Sequence, residues 1–505
     1  MQDRRFRIVA VALFGLIAVA AGGWALWTPR PSVDDAQPVP RPPRISPDYA
    51  GIVMPPNIAP LHFSIREPGS RFLVRIRPEV GPSIEIAGRL PAVVIPAAAW
   101  RRLLESNRGR EVATEVFLEN DGRWQRYEPI VNRVAEEEID RWLVYRSIGP
   151  IYAAWRKVSI RQRDLGSFED SVVLDAAALA EGCANCHTFR SHAPEPMLLG
   201  VRSKRFGNAT LLVEGGKVEK LAAMLGTPAW HPGGRIVVYV TARVHQFFHA
   251  AGEETRDAIN WDGDLACYRV DARQAVPLPW TRRERRLRDY PAWTPDGRWL
   301  YYSSAPILWT DRRVKPPPRY AEVKYDLMRI GYDAEKDAWG EPQTVLSAET
   351  AGQSVLMPRI SPDGRFLLFC MCRYGSFPAF QASSDLYLMD LATGAYSKAE
   401  ASSPESESWH SWSSNSRWIV FSSKREGGIL TRCFVSYVDR EGRTHKPILL
   451  PQRDPAHYQA SLGMVSLPEL LASPITVGRE ALERTAQSDA AVGPSAGPSA
   501  ADGSL

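Results

Sequence analysis

Cys183-Ala-Asn-Cys186-His187 is the segment of this 505-residue chain in which residue type and spacing together define a chemistry. Two thiols three residues apart can each form a thioether to one of the two vinyl groups of a single haem, and the histidine that follows can then reach the iron. With six cysteines and nine histidines in the chain, the pattern arises by chance on the order of 0.001 times. The same residues admit two other readings, a Cys-x-x-Cys redox turn and half of a zinc site. The first lacks the βαβ setting of a thioredoxin-like dithiol, and the second lacks two more ligands at close spacing. The expectation is one covalently attached haem c, with Cys183 and Cys186 as the attachment points and His187 as the proximal iron ligand.

The sixth iron ligand is open on sequence grounds. Met197 is the nearest thioether, in a Pro-containing stretch, His192-Ala-Pro-Glu-Pro-Met197, expected to be a loop folding back over the haem. His249, in Gln246-Phe-Phe-His249, is the alternative; His192 lies close to the motif, and a vacant position would favour ligand binding over electron transfer. Cys370 and Cys372 fall two apart on one expected strand, so they share a face, and Cys267 and Cys433 are available for a disulfide that sequence cannot assign. The basic run at residues 282–288 (RRERRLR) reads as a solvated loop or as a docking patch for an acidic redox partner. There is no Gly-rich phosphate loop, no Gly-x-Ser-x-Gly elbow and no metalloprotease helix motif, so no catalytic residue is assigned.

Haem attachment of this kind takes place outside the cytoplasm, and the N-terminus provides for export. Arg4, Arg5 and Arg7 precede Ile8–Trp27, an uncharged apolar run of 20 residues. Such a run crosses a hydrocarbon core of about 30 Å, and the basic flank keeps the N-terminus in the cytoplasm. Residues 1–28 are expected to be a transmembrane anchor, with a cleaved signal peptide as the rival; in both cases the bulk of the chain is periplasmic. Residues 29–47 are proline-rich and read as a semi-rigid spacer, and 485–505 as a disordered tail. The net charge of +5 gives no reason to expect nucleic-acid binding.

Behind the motif, the chain divides by pattern. Residues 48–180 read as a mixed α/β module: alternating strands at Phe72–Arg77 and Ser83–Ile86, a helix at Pro96–Leu104, a hairpin about Asp121-Gly122, and a helix over Glu136–Ile148. Residues 181–207 are the haem-attachment segment. From 208 to 475 a unit recurs: Pro228-Ala-Trp-His-Pro-Gly-Gly-Arg235, Pro291-Ala-Trp-Thr-Pro-Asp-Gly-Arg298, Pro358-Arg-Ile-Ser-Pro-Asp-Gly-Arg365 and His410-Ser-Trp-Ser-Ser-Asn-Ser-Arg417, each followed by an apolar strand. The first three copies are a turn whose glycine accepts φ > 0, then a strand buried on both faces; the fourth departs, with Ser414-Asn415-Ser416 in place of Pro-Asp-Gly. The anchors are spaced more widely than the roughly 40–50 residues of a four-stranded blade, so insertions are expected between strands.

The repeat resembles those of TolB-like β-propellers. Together with Pro55–Leu61, Trp142–Tyr152, Cys183–Thr188 and Gln246–His249, it resembles a group of bacterial exported proteins that combine such a propeller with one CxxCH haem site, over most of residues 48–470. The fold class that follows is mainly β: a propeller preceded by a smaller α/β module and one N-terminal helix. The resemblance implies a membrane-anchored monohaem cytochrome that passes electrons to a periplasmic or membrane redox protein. The alternatives are a propeller scaffold with a structural or regulatory haem, and a haem-dependent oxidoreductase.

Overall fold

The computed structural model describes residues 32–149, 158–180, 182–249, 256–281, 285–311, 314–489 and 491. The expected transmembrane anchor lies outside them, and among the described residues no helix is long and apolar enough to cross a membrane.

The four repeated units each build the first turn of an antiparallel sheet, five-stranded for the second copy and four-stranded for the others. Gly234, Gly297 and Gly364 take φ of +75°, +71° and +76°, and Ser416 takes +61° at the same place in the divergent fourth copy. The turn is closed identically in all four, with the amides of Gly234, Gly297, Gly364 and Ser416 donating to the carbonyls of His231, Thr294, Ser361 and Ser413. The apolar strand that follows is buried along its length, as at Phe366–Cys372 and Trp418–Ser423. Such strands are apolar on both faces because each sheet is packed between two others.

Among the described residues the sheets form six blades. Blade 3 runs from Gly226–Trp230 to Gln274–Pro277, blade 4 from Arg286–Trp293 to Gln343–Leu346, blade 5 from Ser354–Ile360 to Tyr396–Lys398, and blade 6 from Glu407–Trp412 to Ile448–Leu449. The other two carry no repeat motif. Blade 2 is Cys183–Phe189, Met197–Arg202, Ala209–Glu214 and Lys217–Leu221. Blade 1 takes Trp142–Ile148, Val158–Asp164 and Asp170–Asp175 from the start of the propeller and its innermost strand, Met464–Leu471, from the end. Consecutive inner strands touch from blade to blade, so the last strand closes the ring against the first.

This placement corrects two expectations. The propeller begins at Trp142 rather than 208, and 181–207 is part of a blade rather than a separate segment. Glu136–Ile148 is not a helix: Trp142–Ile148 is a strand paired on both sides, by Val158–Asp164 and by Met464–Leu471. Leu143, Val144 and Tyr145 are all buried, which erases the period-2 signal and leaves an apolar spacing open to a helical reading.

The preceding module forms as expected at Arg71–Pro78, Ile84–Gly88 and helix Ala97–Ser106, and in the hairpin turned by Asp121 (φ +50°) and Gly122 (φ +77°). It docks on blade 6, where Trp418 Nε1 donates to Glu137 O and Tyr49 Oη to Leu449 O. Part of the expected spacer belongs to it, since Gln37–Val39 pairs in parallel with Arg123–Tyr127. Part of the expected tail is ordered too: helix Arg479–Gln487 is held by Lys220, whose ammonium donates to the carbonyls of Phe206, Ala486 and Ser488. The expected insertions are present. In blade 3 the hairpin Val244–Phe248/Arg256–Asn260 stands between the second and third strands.

Candidate functional site

Cys183, Cys186 and His187 lie on Cys183–Phe189, the innermost strand of blade 2, and so at the axis of the propeller. The chain reaches the strand through Gly182. A Cβ there would stand 2.1 Å from Arg202 O and 2.8 Å from Leu179 O, so only glycine fits. Ala184 pairs with Val201 and His187 with Leu199, which leaves Asn185 and Cys186 opposite the single residue Gly200. That is a β-bulge, and it re-aims the residues on either side of it.

Every inner strand has the same interruption. Register shifts follow Gly226, Asp289, Leu356 and Ser408, and blade 1 shifts opposite Ser466. In these five blades the bulge holds a residue with left-handed φ: Thr227, Tyr290, Met357, Trp409 and Leu467. The first residues past the bulge are therefore equivalent around the ring: Glu469, His187, Ala229, Ala292, Arg359 and Ser411 in blades 1 to 6. His187 and Arg359, in blades 2 and 5, stand across the axis from each other.

The bulged strands line a small, partly open cavity of about 30 Å³. Cys186, His187, Tyr290, Arg359, His410 and Glu469 are among its walls. Cys183 and Cys186 are half-buried and not disulfide-bonded. Burial pushes the Cys183 thiol up, opposed by Arg146 and Arg202. His187 is 3% exposed, and neither ring nitrogen makes a well-formed hydrogen bond, the backbone of Leu467 and Val144 offering only weak contacts. Burial, assisted by the positive charge of Arg146, pushes the imidazole down to about 3, so it is neutral with a free lone pair. Arg146, from blade 1, donates to Asn185 Oδ1 at 2.7 Å and to Ser466 Oγ at 3.3 Å, tying the bulge of blade 2 to the closing strand.

The donor set fits a covalently held haem: two free thiols at CxxC spacing and a neutral imidazole with no well-formed hydrogen bond. The closeness of the packing adds a condition. The free space beside His187 is that of a water or two, so loading a macrocycle has to displace part of what covers the ring. Among the described residues no group of three or more His, Cys, Asp or Glu side chains converges as a metal site would need.

The other predicted residues are not brought into this cluster. Met197 lies on a strand, not in a loop over the motif; it pairs with Phe189 and is fully buried in the apolar layer between blades 1 and 2 with Val144 and Leu199. The prolines before it belong to the turn joining two strands of the blade. His192, in that turn, places Nδ1 3.1 Å from Leu470 O. His249 sits at the end of the inserted hairpin, with Nε2 3.8 Å from Asp257, whose carboxylate accepts from Tyr374 Oη. Arg286 and Arg288 are strand residues paired with Asp326 and Asp264, so this part of the basic run is not a free docking patch; residues 282–284 lie outside the described residues. Cys267 and Cys433 are buried in the separate cores of blades 3 and 6 and do not pair, while Cys370 and Cys372 share one face as expected.

Arg146, Arg359 and Glu469 escaped the sequence reading. For Arg359 a signal exists: it replaces the alanine of Pro-Ala-Trp in the third copy of the repeat, where nothing in the strand itself calls for a charge.

No protein-family model matches this chain, and no curated protein matches it. Solved structures of similar shape include TolB from Acinetobacter baumannii, with 16% identity and a TM-score of 0.41, covering 72% of this chain and 79% of that one. Hydrazine synthase from Kuenenia stuttgartiensis has 14% identity and a TM-score of 0.29, over 51% of this chain and 64% of that one. Prolyl oligopeptidase B from Galerina marginata has 12% identity and a TM-score of 0.34, over 58% and 40%. The chain is a mainly β protein of propeller architecture, and on its own strand pairing it is closed by its C-terminal strand.

Proposed function

We propose that this protein is an exported propeller carrying one haem c, bound through Cys183 and Cys186 with His187 as proximal ligand, and that it passes electrons to a periplasmic or membrane redox partner. The observation that carries the reading is His187: a buried imidazole with no well-formed hydrogen bond, on one bulged strand with two free thiols. A buried ring so poorly paired is costly, and a ligand bond removes that cost.

The haem, when bound, supplies a reversible one-electron centre. The chain's own residues set its surroundings. Arg146 fixes the bulge through Asn185 and places a positive charge near His187 and Cys183, which favours the reduced, less positive state. Burial of His187 keeps the imidazole neutral, the form that can donate to iron.

The test is expression of the full chain with and without a c-type cytochrome maturation system, followed by acid-acetone extraction. Haem that stays with the polypeptide supports the reading, and haem that extracts freely overturns it. Reduction by a quinol-linked donor then tests electron transfer separately. A haem-loaded protein that no such donor reduces would be a propeller scaffold with a structural haem.

A further inference from the structure

The six equivalent positions past the bulges are not filled alike. Ala229, Ala292 and Ser411 are small, whereas Arg359, His187 and Glu469 project polar groups toward one cavity. Arg359 is the anomaly. Its guanidinium has no hydrogen bond and no ion pair within 4 Å among the described residues, and its electrostatic partners are Glu469, Cys186 and Tyr290. Tyr290 Oη is already committed, donating to Ser376 O, and His410 is held by Leu368 O and Cys370 Sγ. A guanidinium does not lose its charge in a protein, and its five donors form a planar fork that matches a carboxylate. The residue is half-buried, and its fork faces the cavity with the Glu469 carboxylate as its main opposite charge, so donors remain open to an anion that enters there.

We propose that the axial cavity is a binding site for a small carboxylate, held by the planar fork of Arg359 opposite the strand of Cys186 and His187. The size follows from the room, which accommodates the few heavy atoms of a formate or an acetate in place of about two waters. The walls supply selectivity. Met357, Trp409 and Leu467 present apolar surface beside Arg359, which suits the methyl of acetate and not a fully hydrated ion. Glu469 shares the cavity and competes for the same guanidinium without reaching it. Cys186 and His187 line the same cavity, so the site is that of the chain before haem is attached, and a haem on His187 would compete with the carboxylate for the space.

The test titrates sodium acetate and sodium formate into the full chain produced without a haem-maturation system, with sodium chloride at equal ionic strength as control. Calorimetry and the unfolding temperature are read together. Acetate should give a saturable heat and a rise in unfolding temperature that chloride does not. Arg359→Gln should weaken acetate binding by tenfold or more, and Arg359→Lys should too, because an ammonium cannot reproduce the bidentate contact. At pH 8, above the value of about 7 to which burial raises the Glu469 carboxyl, Glu469→Gln should strengthen binding several-fold by removing the competing charge. No saturable acetate response, an equal response to chloride, or wild-type affinity in Arg359→Gln each overturns the proposal. Should Arg359→Gln fail to fold, the Glu469→Gln arm decides, and unchanged affinity in that variant overturns it.

Discussion

Asp289 gives the most quantitative consequence of the axial packing. It stands immediately before the bulge on the inner strand of blade 4, 5% exposed, and accepts from Asn260 Nδ2 at 2.8 Å and from the Tyr290 amide at 2.9 Å. Burial outweighs these bonds and pushes its carboxyl from 3.8 up to about 6. The native state therefore holds the proton more tightly than the unfolded chain, and stability falls as pH rises between those two values. At 1.36 kcal/mol per unit, the full cost is about 3 kcal/mol above pH 6, and about 2 kcal/mol of it develops between pH 4.5 and 7. Asp289→Asn keeps the shape and removes the titration. Urea midpoints of both proteins, measured across pH 4.5–7, should show the variant gaining on the wild type by about 2 kcal/mol as pH rises. A difference that stays flat over this range, or one of opposite sign, would refute the assignment of a raised carboxyl at the axis.

Other consequences are simpler to read. Gly182→Ala forces a Cβ into Arg202 O and should cost about 1–3 kcal/mol, with a matching fall in the unfolding temperature; an unchanged temperature would show that the approach to the thiol strand is looser than described. Lys220→Met removes three charge-assisted bonds to backbone carbonyls. It should destabilise by about 1–3 kcal/mol and raise amide exchange selectively in Arg479–Gln487, whereas exchange that rises evenly over the chain would speak against a local latch. In protein without haem, a thiol reagent should label Cys183 and Cys186 in the native state and the four buried cysteines only in denaturant. Labelling of more than two without denaturant would contradict the burial of Cys267, Cys370, Cys372 and Cys433.

Much of the propeller is legible in the sequence because its turns are local. Pro-Asp-Gly with a left-handed glycine, followed by a strand buried on both faces, specifies blades 4 and 5 without any long-range information, and relaxed copies mark 3 and 6. Blades 1 and 2 are silent for physical reasons. The inner strand of blade 1 is Met464–Leu471, so no hairpin turn joins it to Trp142–Ile148 and no turn signal can exist. In blade 2 the turn is made by Ser191 and His192, both with positive φ, and CxxCH replaces the repeat on the strand itself. The same silence explains why Met197 reads as a loop residue: its prolines lie in a hairpin connection, and only the pairing with Val213 and Phe189 places it in a strand. The thiols and His187 are recognisable from spacing alone. Arg146 is not, because its role depends on two distant strands meeting at the ring closure.

The central claim is the covalent haem, and the most direct measurement is the mass of the proteolytic peptide spanning Cys183–His187 from chain matured in a c-type cytochrome system. Covalent attachment predicts a peptide heavier by one haem, with both thiols refractory to alkylation, and loss of that species in a Cys183→Ser, Cys186→Ser double variant. A peptide of unmodified mass with two alkylatable cysteines, from cells that load a control cytochrome, would contradict it.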